Sequence, residues 1–279
     1  MGLVKMQWMG GFGLAAAMAI GSQAQTLASP QQLISSKVCV DCDLRGANLA
    51  GLNLKGANLE GANLQGANLQ GAILDDANLR NTQLAGANLD NATLRRADLR
   101  SGLKRQTNLA GASLNNTVLS YAKLNGVNLH QTNLTGANLE GATLFAASLL
   151  KPDGDRLIYS TRLENVNLSY SSLRNTNLND VRLTNVTLNQ ATLVGVSLKN
   201  AYLKDTRLKQ ADLTQADLRG ATVINADLSG ASLITSDWAE AKLQNVNLSG
   251  ADLRNADLRG VSFCQVTLPS GGQSSQGCR

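Results

Sequence analysis

Aromatic side chains are scarce in this sequence: Trp, Tyr and Phe together make up 3% of 279 residues. That excludes a globular core of varied shapes, and it removes the stacking platforms on which single-stranded nucleic acid is held. Histidine occurs once, at His130, so no nucleophile–His–carboxylate relay exists beyond that one ring. No long run of one charge sign is present. The formal net charge of +5 is dispersed, a balance that speaks to solubility and weak association, with no concentrated surface for nucleic acid. Phosphate-binding glycine motifs are missing as well. Beyond the N-terminus no stretch is apolar enough to cross a membrane.

The N-terminus reads as an export signal. Lys5 supplies the positive charge, Met9 to Ile20 is a short apolar run, and Ser22-Gln23-Ala24 offers small residues for cleavage after Ala24. The run is too short and too rich in glycine for a membrane span. With no twin arginine, the general secretory route is expected. Ser29-Pro30 then opens a candidate capping helix that reaches Ser36, with serine at the N-cap and proline at the first helical position.

What the chain has in abundance is leucine at every fifth position. Between Leu44 and Leu149 there are 22 such slots, and all but Lys104 hold leucine. Between Leu163 and Leu268 there are 22 more, with Val223, Trp238 and Phe263 as the exceptions. Two residues before each leucine stands a small residue, mostly Ala, Thr, Val or Ser. A period of five is neither helical nor strand-like. It fits a chain that turns a corner once per unit, so that four units close a square coil of about 20 residues and coils stack about 4.8 Å apart. Leucines then fill the axis, each contributing roughly 1.5–3 kcal/mol on burial before entropy is subtracted. The second residue after each leucine is Gly at positions such as Gly46, Gly56 and Gly66, or Asn at Asn81, Asn91 and Asn165. This is the chemistry of a turn that needs positive φ. Polar residues before the leucine, such as Asn48, Asn58, Asn63 and Asn68, face outward and can bond along the stack. The slots predict about 11 coils and a rod of roughly 50 Å.

The rule fails in two places. Around Arg100-Ser101-Gly102-Leu103-Lys104-Arg105 a leucine gap of four precedes a gap of six, which predicts a bulge that turns Leu103 inward in place of Lys104. Arg80, Arg95, Arg96, Arg100, Lys104 and Arg105 crowd here and form a candidate anion or partner patch. The alternative is a solvated positive face. From Leu149 to Leu163 the phase shifts by one across Lys151-Pro152-Asp153-Gly154-Asp155-Arg156. Pro-Asp-Gly is strong turn chemistry, so residues 150–157 are expected to leave the coil between two half-rods, as a candidate docking loop or as a plain connector. Leu149 to Gly154 also echoes Thr267-Leu268-Pro269-Ser270-Gly271, a hint of duplication.

The units Ala57-Asn58-Leu59-Glu60-Gly61 and Ala251-Asp252-Leu253 resemble those of the pentapeptide-repeat proteins, over about 225 residues. The resemblance implies an all-β fold, a right-handed quadrilateral β-helix, here with a short N-terminal capping helix. Cys39-Val40-Asp41-Cys42-Asp43-Leu44 and the closing Phe263-Cys264 to Cys278 look similar to exported cyanobacterial members, which implies residence in the periplasm or thylakoid lumen. The expected parts are a signal at 1–24, a cap at 25–43, a repeat block at 44–149, the loop at 150–157, a second block at 158–268 and a tail at 269–279.

Four cysteines in an exported chain point to disulfides. Cys39 falls on the leucine phase and Cys42 on the small-residue phase, so a structural bridge stitching the cap is expected, with a redox-active pair as the alternative. Zinc would need ligands that His130, an outward turn residue several coils away, does not supply. A Cys264–Cys278 bridge would pin the tail over the lower end. Cys39 or Cys42 cannot reach Cys264, because the ends lie about 50 Å apart and bridged Cα atoms stay within roughly 7 Å.

The sequence therefore reads as an exported, non-enzymatic scaffold or protein-interaction module without cofactor or metal. Its partner is a protein, with no nucleic acid and no membrane after signal removal. Lys199, Arg219 and Arg259 would form one displayed column. One alternative carries over from gyrase-interacting members of the family, which mimic duplex DNA; the signal and the positive charge oppose it. The other is a lumenal thiol-redox protein acting through Cys39 and Cys42.

Overall fold

The computed structural model describes residue 33 and residues 35–278. The expected signal and most of the expected capping helix lie outside these residues. Of the helix, Leu33, Ser35 and Ser36 are helical, and Leu33 is buried against the first coil.

The rest is one square β-helix. A single column of parallel pairs runs its length: Val38, Asn58, Asn78, Asp98, Lys123, Thr143, Asn177, Ser197, Asp217, Asp237 and Asp257. Those ten steps at about 4.8 Å give a rod of roughly 50 Å. Leucines from Leu44 to Leu248 fill the axis, nearly all without solvent contact, with small residues such as Ala57, Val127 and Ala211 packed beside them. Where the small residue carries a hydroxyl, it turns back on its own coil. Thr82, Thr117, Ser171 and Ser236 each donate to the carbonyl of the leucine three residues earlier, at 2.6–2.8 Å. That bond is why a buried Thr or Ser costs little there.

Positive φ recurs at the second residue after the leucine, as the turn chemistry requires: Gly56 at 67°, Asn81 at 60°, Asn165 at 57°. Outward asparagines do pair along the stack, as Asn78 with Asn58 and Asn128 with Asn108, both at 3.0 Å. Most of them also accept from the backbone amide two residues on, which holds the turn in shape.

The described residues hold ten short strands, numbered in chain order. β1 (Ala147–Leu150) and β2 (Arg156–Tyr159) form an antiparallel hairpin. β3 (Arg162–Glu164), β4 (Arg182–Thr184), β5 (Tyr202–Lys204), β6 (Thr222–Ile224), β7 (Lys242–Gln244) and β8 (Ser262–Cys264) make a six-stranded parallel sheet, one strand per coil. β9 (Val266–Thr267) pairs with β10 (Gln273–Ser274) in the tail. Trp238 takes a leucine slot and is 2% exposed, its indole N–H donating to Ser236 Oγ at 2.8 Å.

Two expectations need correcting. Leu103 does not turn inward: it is 50% exposed, and Lys104 is exposed too. Pairing steps from Asp98 to Lys123, 25 residues instead of 20. One whole unit has therefore left the coil as a loop, so the repeat phase before and after it is undisturbed. Leu149 is not an axial leucine either. It lies in β1 and is only half-buried, and the expected loop at 150–157 is the outer part of the longer hairpin Ala147–Tyr159. The rod is not split into halves, because Thr143 pairs directly with Asn177 across the hairpin's exit and return.

Candidate functional site

Both departures from the coil occur at the same corner. Following the pairing column, the turn after Leu99 stacks on the turn after Leu124, that on the turn after Leu144, and that on the turn after Leu178. The loop 102–106 leaves after Leu99 and Ser101, and the hairpin leaves after Leu144. Arg80, Arg100, Lys199, Arg219 and Arg259 are further turn residues of this one edge.

Each departure is braced at its neck by buried hydroxyls that bond to the backbone of neighbouring coils. Ser101 Oγ donates to Gly126 O at 2.7 Å and accepts from Thr107 N at 3.0 Å. Asn81 N donates to Thr107 Oγ1 at 2.9 Å. At the hairpin, Gly126 N donates to Thr161 Oγ1, which donates to Phe145 O, both at 2.9 Å. Gln106 joins the two, donating from Nε2 to Gly126 O at 2.7 Å and to Ser160 O at 3.3 Å.

The hairpin has an inner and an outer face. Ala147, Leu149, Leu157 and Tyr159 turn toward the rod, seated on Gly126, where an added Cβ would lie 2.7 Å from Ala147 Cβ. Outward stand Ser148, Leu150, Arg156 and Ile158, with Leu150 68% and Ile158 61% exposed. The turn Lys151-Pro152-Asp153-Gly154-Asp155 is held by Lys151 N to Asp155 O at 2.8 Å and Asp155 N to Asp153 Oδ1 at 3.0 Å. Under the hairpin, Phe145, Ala146, Asn177, Asn179 and Asp180 line a cleft of about 360 Å³.

The expected basic patch does not form as one surface. Arg95 and Arg96 lie on a different edge, after Leu94, where each meets an aspartate one coil below: Arg95 with Asp75 at 3.4 Å, and Arg96 in a two-pronged bond with Asp76 at 2.8 Å. On the irregular edge Arg100 forks onto Asp98, while Lys104 and Arg105 reach Asp41 at 2.8 and 3.6 Å. Stacked coils set many turn cations beside carboxylates of their own or a neighbouring coil, so much of the positive charge here is matched. Burial pushes the Asp98 carboxyl up, but hydrogen bonds from Arg100 and its amide outweigh this and leave its pKa lowered.

The displayed column is paired in the same way. Arg219 bridges Asp217 at 2.7 Å and Asp237 at 3.4 Å, Lys199 meets Asp217 at 3.1 Å, and Arg259 meets Asp257 at 2.6 Å. The Arg219 hydrogen bond is the largest influence on Asp217; it outweighs partial burial and, with Lys199, brings the pKa down to about 2. A lowered carboxylate pKa stabilises the fold above the unfolded value of about 3.9, and that stability is lost as pH falls through the folded value. Asp217→Asn is therefore expected to flatten the fall in urea midpoint between about pH 4 and pH 2, while leaving the midpoint's dependence above pH 5 unchanged.

Cys39 and Cys42 are bridged, with Cα atoms 5.4 Å apart, and Cys264 with Cys278 likewise at 4.7 Å. Cys39 is buried and Cys42 packs on the core. His130 stands 3.6 Å from Glu164, which also holds Arg162. Among the described residues no group of His, Cys, Asp and Glu is placed to hold a metal. The residues that sequence reasoning missed are Ser101, Thr107, Gly126 and Thr161. Thr107 and Thr161 sit in ordinary small-residue slots, so nothing in their spacing sets them apart.

Comparison with known proteins agrees with this geometry. The family described as Pentapeptide repeats (8 copies) matches residues 39–76, 62–100, 105–136, 112–150 and 161–200, and Pentapeptide repeat region matches 181–263. No curated protein matches the chain. Among solved structures the chain is similar to HetL, a pentapeptide repeat protein involved in heterocyst differentiation regulation from the cyanobacterium Nostoc sp. strain PCC 7120. The identity is 28%, over 85% of this chain and 92% of that one, with a TM-score of 0.45. It is similar to QnrB1, a plasmid-mediated fluoroquinolone resistance protein, at 18% identity over 77% and 90% of the two chains with a TM-score of 0.45. A pentapeptide repeat protein of the Arabidopsis thaliana thylakoid lumen shares 27% identity over 48% and 69%, with a TM-score of 0.15. With its repeats matched over most of its length and its coil closed by them, the chain belongs to the pentapeptide repeat family.

Proposed function

We propose that the protein is an exported, non-enzymatic scaffold that binds a partner protein along its irregular edge. One observation carries this reading: a rod with four equivalent edges places both of its departures, and the exposed apolar residues Leu103, Phe145, Leu150 and Ile158, on one of them. Up to the C-terminal tail the other three edges carry uninterrupted turns. Large apolar side chains held out in water by a rigid frame are the usual mark of a contact surface. Because most of the charges of this edge are paired among themselves, binding through it is expected to depend weakly on salt.

Export rests on the N-terminal signal and on two disulfides, which persist in oxidising compartments; the periplasm or thylakoid lumen suits both. Crosslinking and capture from that compartment test the reading. Leu150→Ser with Ile158→Ser is expected to lose the captured protein, while Tyr170→Ser, an exposed aromatic on another edge, retains it. Equal capture by all three chains overturns the proposal. The gyrase reading is weakened by paired charge, since mimicry of DNA needs a dense negative face; stoichiometric inhibition or rescue of supercoiling would restore it.

A further inference from the structure

We propose that the loop 102–106 is a latch keyed to the redox state of the Cys39–Cys42 disulfide. This rests on the reading of the irregular edge as the docking edge, and names how access to that edge is controlled.

The loop does not stand out from the rod. It folds back along the edge toward the N-terminal end, so that Lys104 Nζ meets Asp41 Oδ2 at 2.8 Å and Arg105 lies 3.6 Å from Oδ1. Asp41 is inside the four-residue disulfide ring, two residues after Cys39 and one before Cys42, with φ at 53°. Its carboxylate reaches the loop across the next coil only because Gly61 lies between them: a Cβ there would sit 2.0 Å from Asp41 Oδ1. The keeper of the latch is thus a residue whose backbone is pinned by the disulfide, in the first coil of the rod.

Beneath the loop the edge is polar and imperfectly satisfied. Gly102 rests on Asn81, where a Cβ would lie 2.4 Å from Oδ1. Asn81 is 2% exposed, yet its Oδ1 has no hydrogen-bond partner, and neither has the buried Nε of Arg80. Asn81 Oδ1 would gain water or a partner's backbone if Gly102 lifted, and while Gln106 stays anchored by Gln83 Nε2, which donates to its O at 3.1 Å, closure of residues 102–105 leans on the far tether. Within the loop only Gly102 N to Arg105 O, at 3.3 Å, ties backbone to backbone.

Reduction by a dithiol supplies two electrons and two protons. The Sγ–Sγ bond breaks, Cys39 and Cys42 become thiols, and the reductant closes to its own disulfide. The ring constraint on Asp41 is then gone, and Lys104 and Arg105 lose a fixed partner.

Hydrogen exchange of residues 102–106 in the full chain, without partner, tests this. Dithiothreitol is expected to speed exchange there roughly fivefold, the scale of an exposed ion pair, and to expose the peptide bonds after Lys104 and Arg105 to trypsin. Cys39→Ser with Cys42→Ser should show the fast loop without reductant, and Cys264→Ser with Cys278→Ser should keep the full response. Asp41→Asn keeps the disulfide, so it decides the matter even where the double serine chain does not fold: its loop should be fast in both redox states. An Asp41→Asn chain that still responds to reduction, or a wild-type loop whose exchange does not change, overturns the latch. Because no partner is present, loss of the docking reading leaves this result standing, and loss of the latch leaves capture by the hairpin unaffected.

Discussion

Trp238→Ala is expected to cost about 3–5 kcal/mol of stability, the range for removing a large buried aromatic. The indole occupies a slot that leucine fills elsewhere and is 2% exposed, so alanine leaves a cavity in the leucine columns, between buried Leu218 and the partly exposed Leu258 of the last coil. Those columns cannot close inward, because each coil is held by backbone bonds to its neighbours, such as Leu218 N to Asp237 O at 2.7 Å and Trp238 N to Asp257 O at 2.8 Å. A stacked rod also divides its stability among nearest neighbours. The loss should therefore be regional: amides from about the Leu218 coil to the C-terminus lose exchange protection, and those of the Leu59 to Leu99 coils keep theirs. Uniform loss along the rod would show that the coils unfold as one cooperative unit and would falsify the regional expectation.

Gly126→Ala is expected to cost about 2–5 kcal/mol and to unseat the hairpin. Two effects combine. Gly126 has φ of 74°, a conformation that costs a residue with Cβ roughly 1–2 kcal/mol. The new methyl would also meet Ala147 Cβ at 2.7 Å and both Cβ and O of Tyr159 at 3.0 Å, an overpacking that costs about 1–3 kcal/mol. Backbone atoms are among those contacts, so rotamer changes cannot relieve them. The hairpin has to move outward, breaking Gly126 N to Thr161 Oγ1 and the Gln106 bonds. The check is twofold: a lower denaturation midpoint, and faster exchange across β1 and β2 with the coils on either side unchanged. Gly56→Ala is the control. Its φ is 67° with open space around it, so it should show the backbone cost alone.

The coil itself was legible in the sequence because its cause is local and repeated. Leucine every fifth residue, a small residue two before it and a left-handed turn residue two after it each follow from one corner's sterics, and Asn81 and Asn165 announce the same φ as the glycines. Both cysteine pairs could be placed by phase and reach. The irregular edge could not be read in this way. Leu103 and Lys104 compete for one slot when only spacing is counted, and either residue would satisfy the count; that the whole unit leaves the coil is settled by Ser101 and Thr107 hydroxyls bonding across gaps of 25 and 26 residues. Leu149 stays in phase with the axial leucines yet lies in a strand of the hairpin, since phase cannot tell an axial leucine from one that packs against the outside of the rod. The basic patch failed for a related reason. Arg95 and Arg96 are close to Arg100 in sequence, but one unit is a quarter turn, and a quarter turn puts them on another edge beside Asp75 and Asp76.

The pairing steps of 20, 25 and 34 residues all return the chain to the same register on the coil below. The length of chain between two stacked corners is thus independent of the alignment of the coils, provided that the neck is closed by a hydroxyl such as Thr107 or Thr161. The rod acts as a rail with interchangeable fittings. A segment of any length can be carried at a corner, at a chosen height, without rewriting a single axial residue, and the distance between two fittings is set by counting coils.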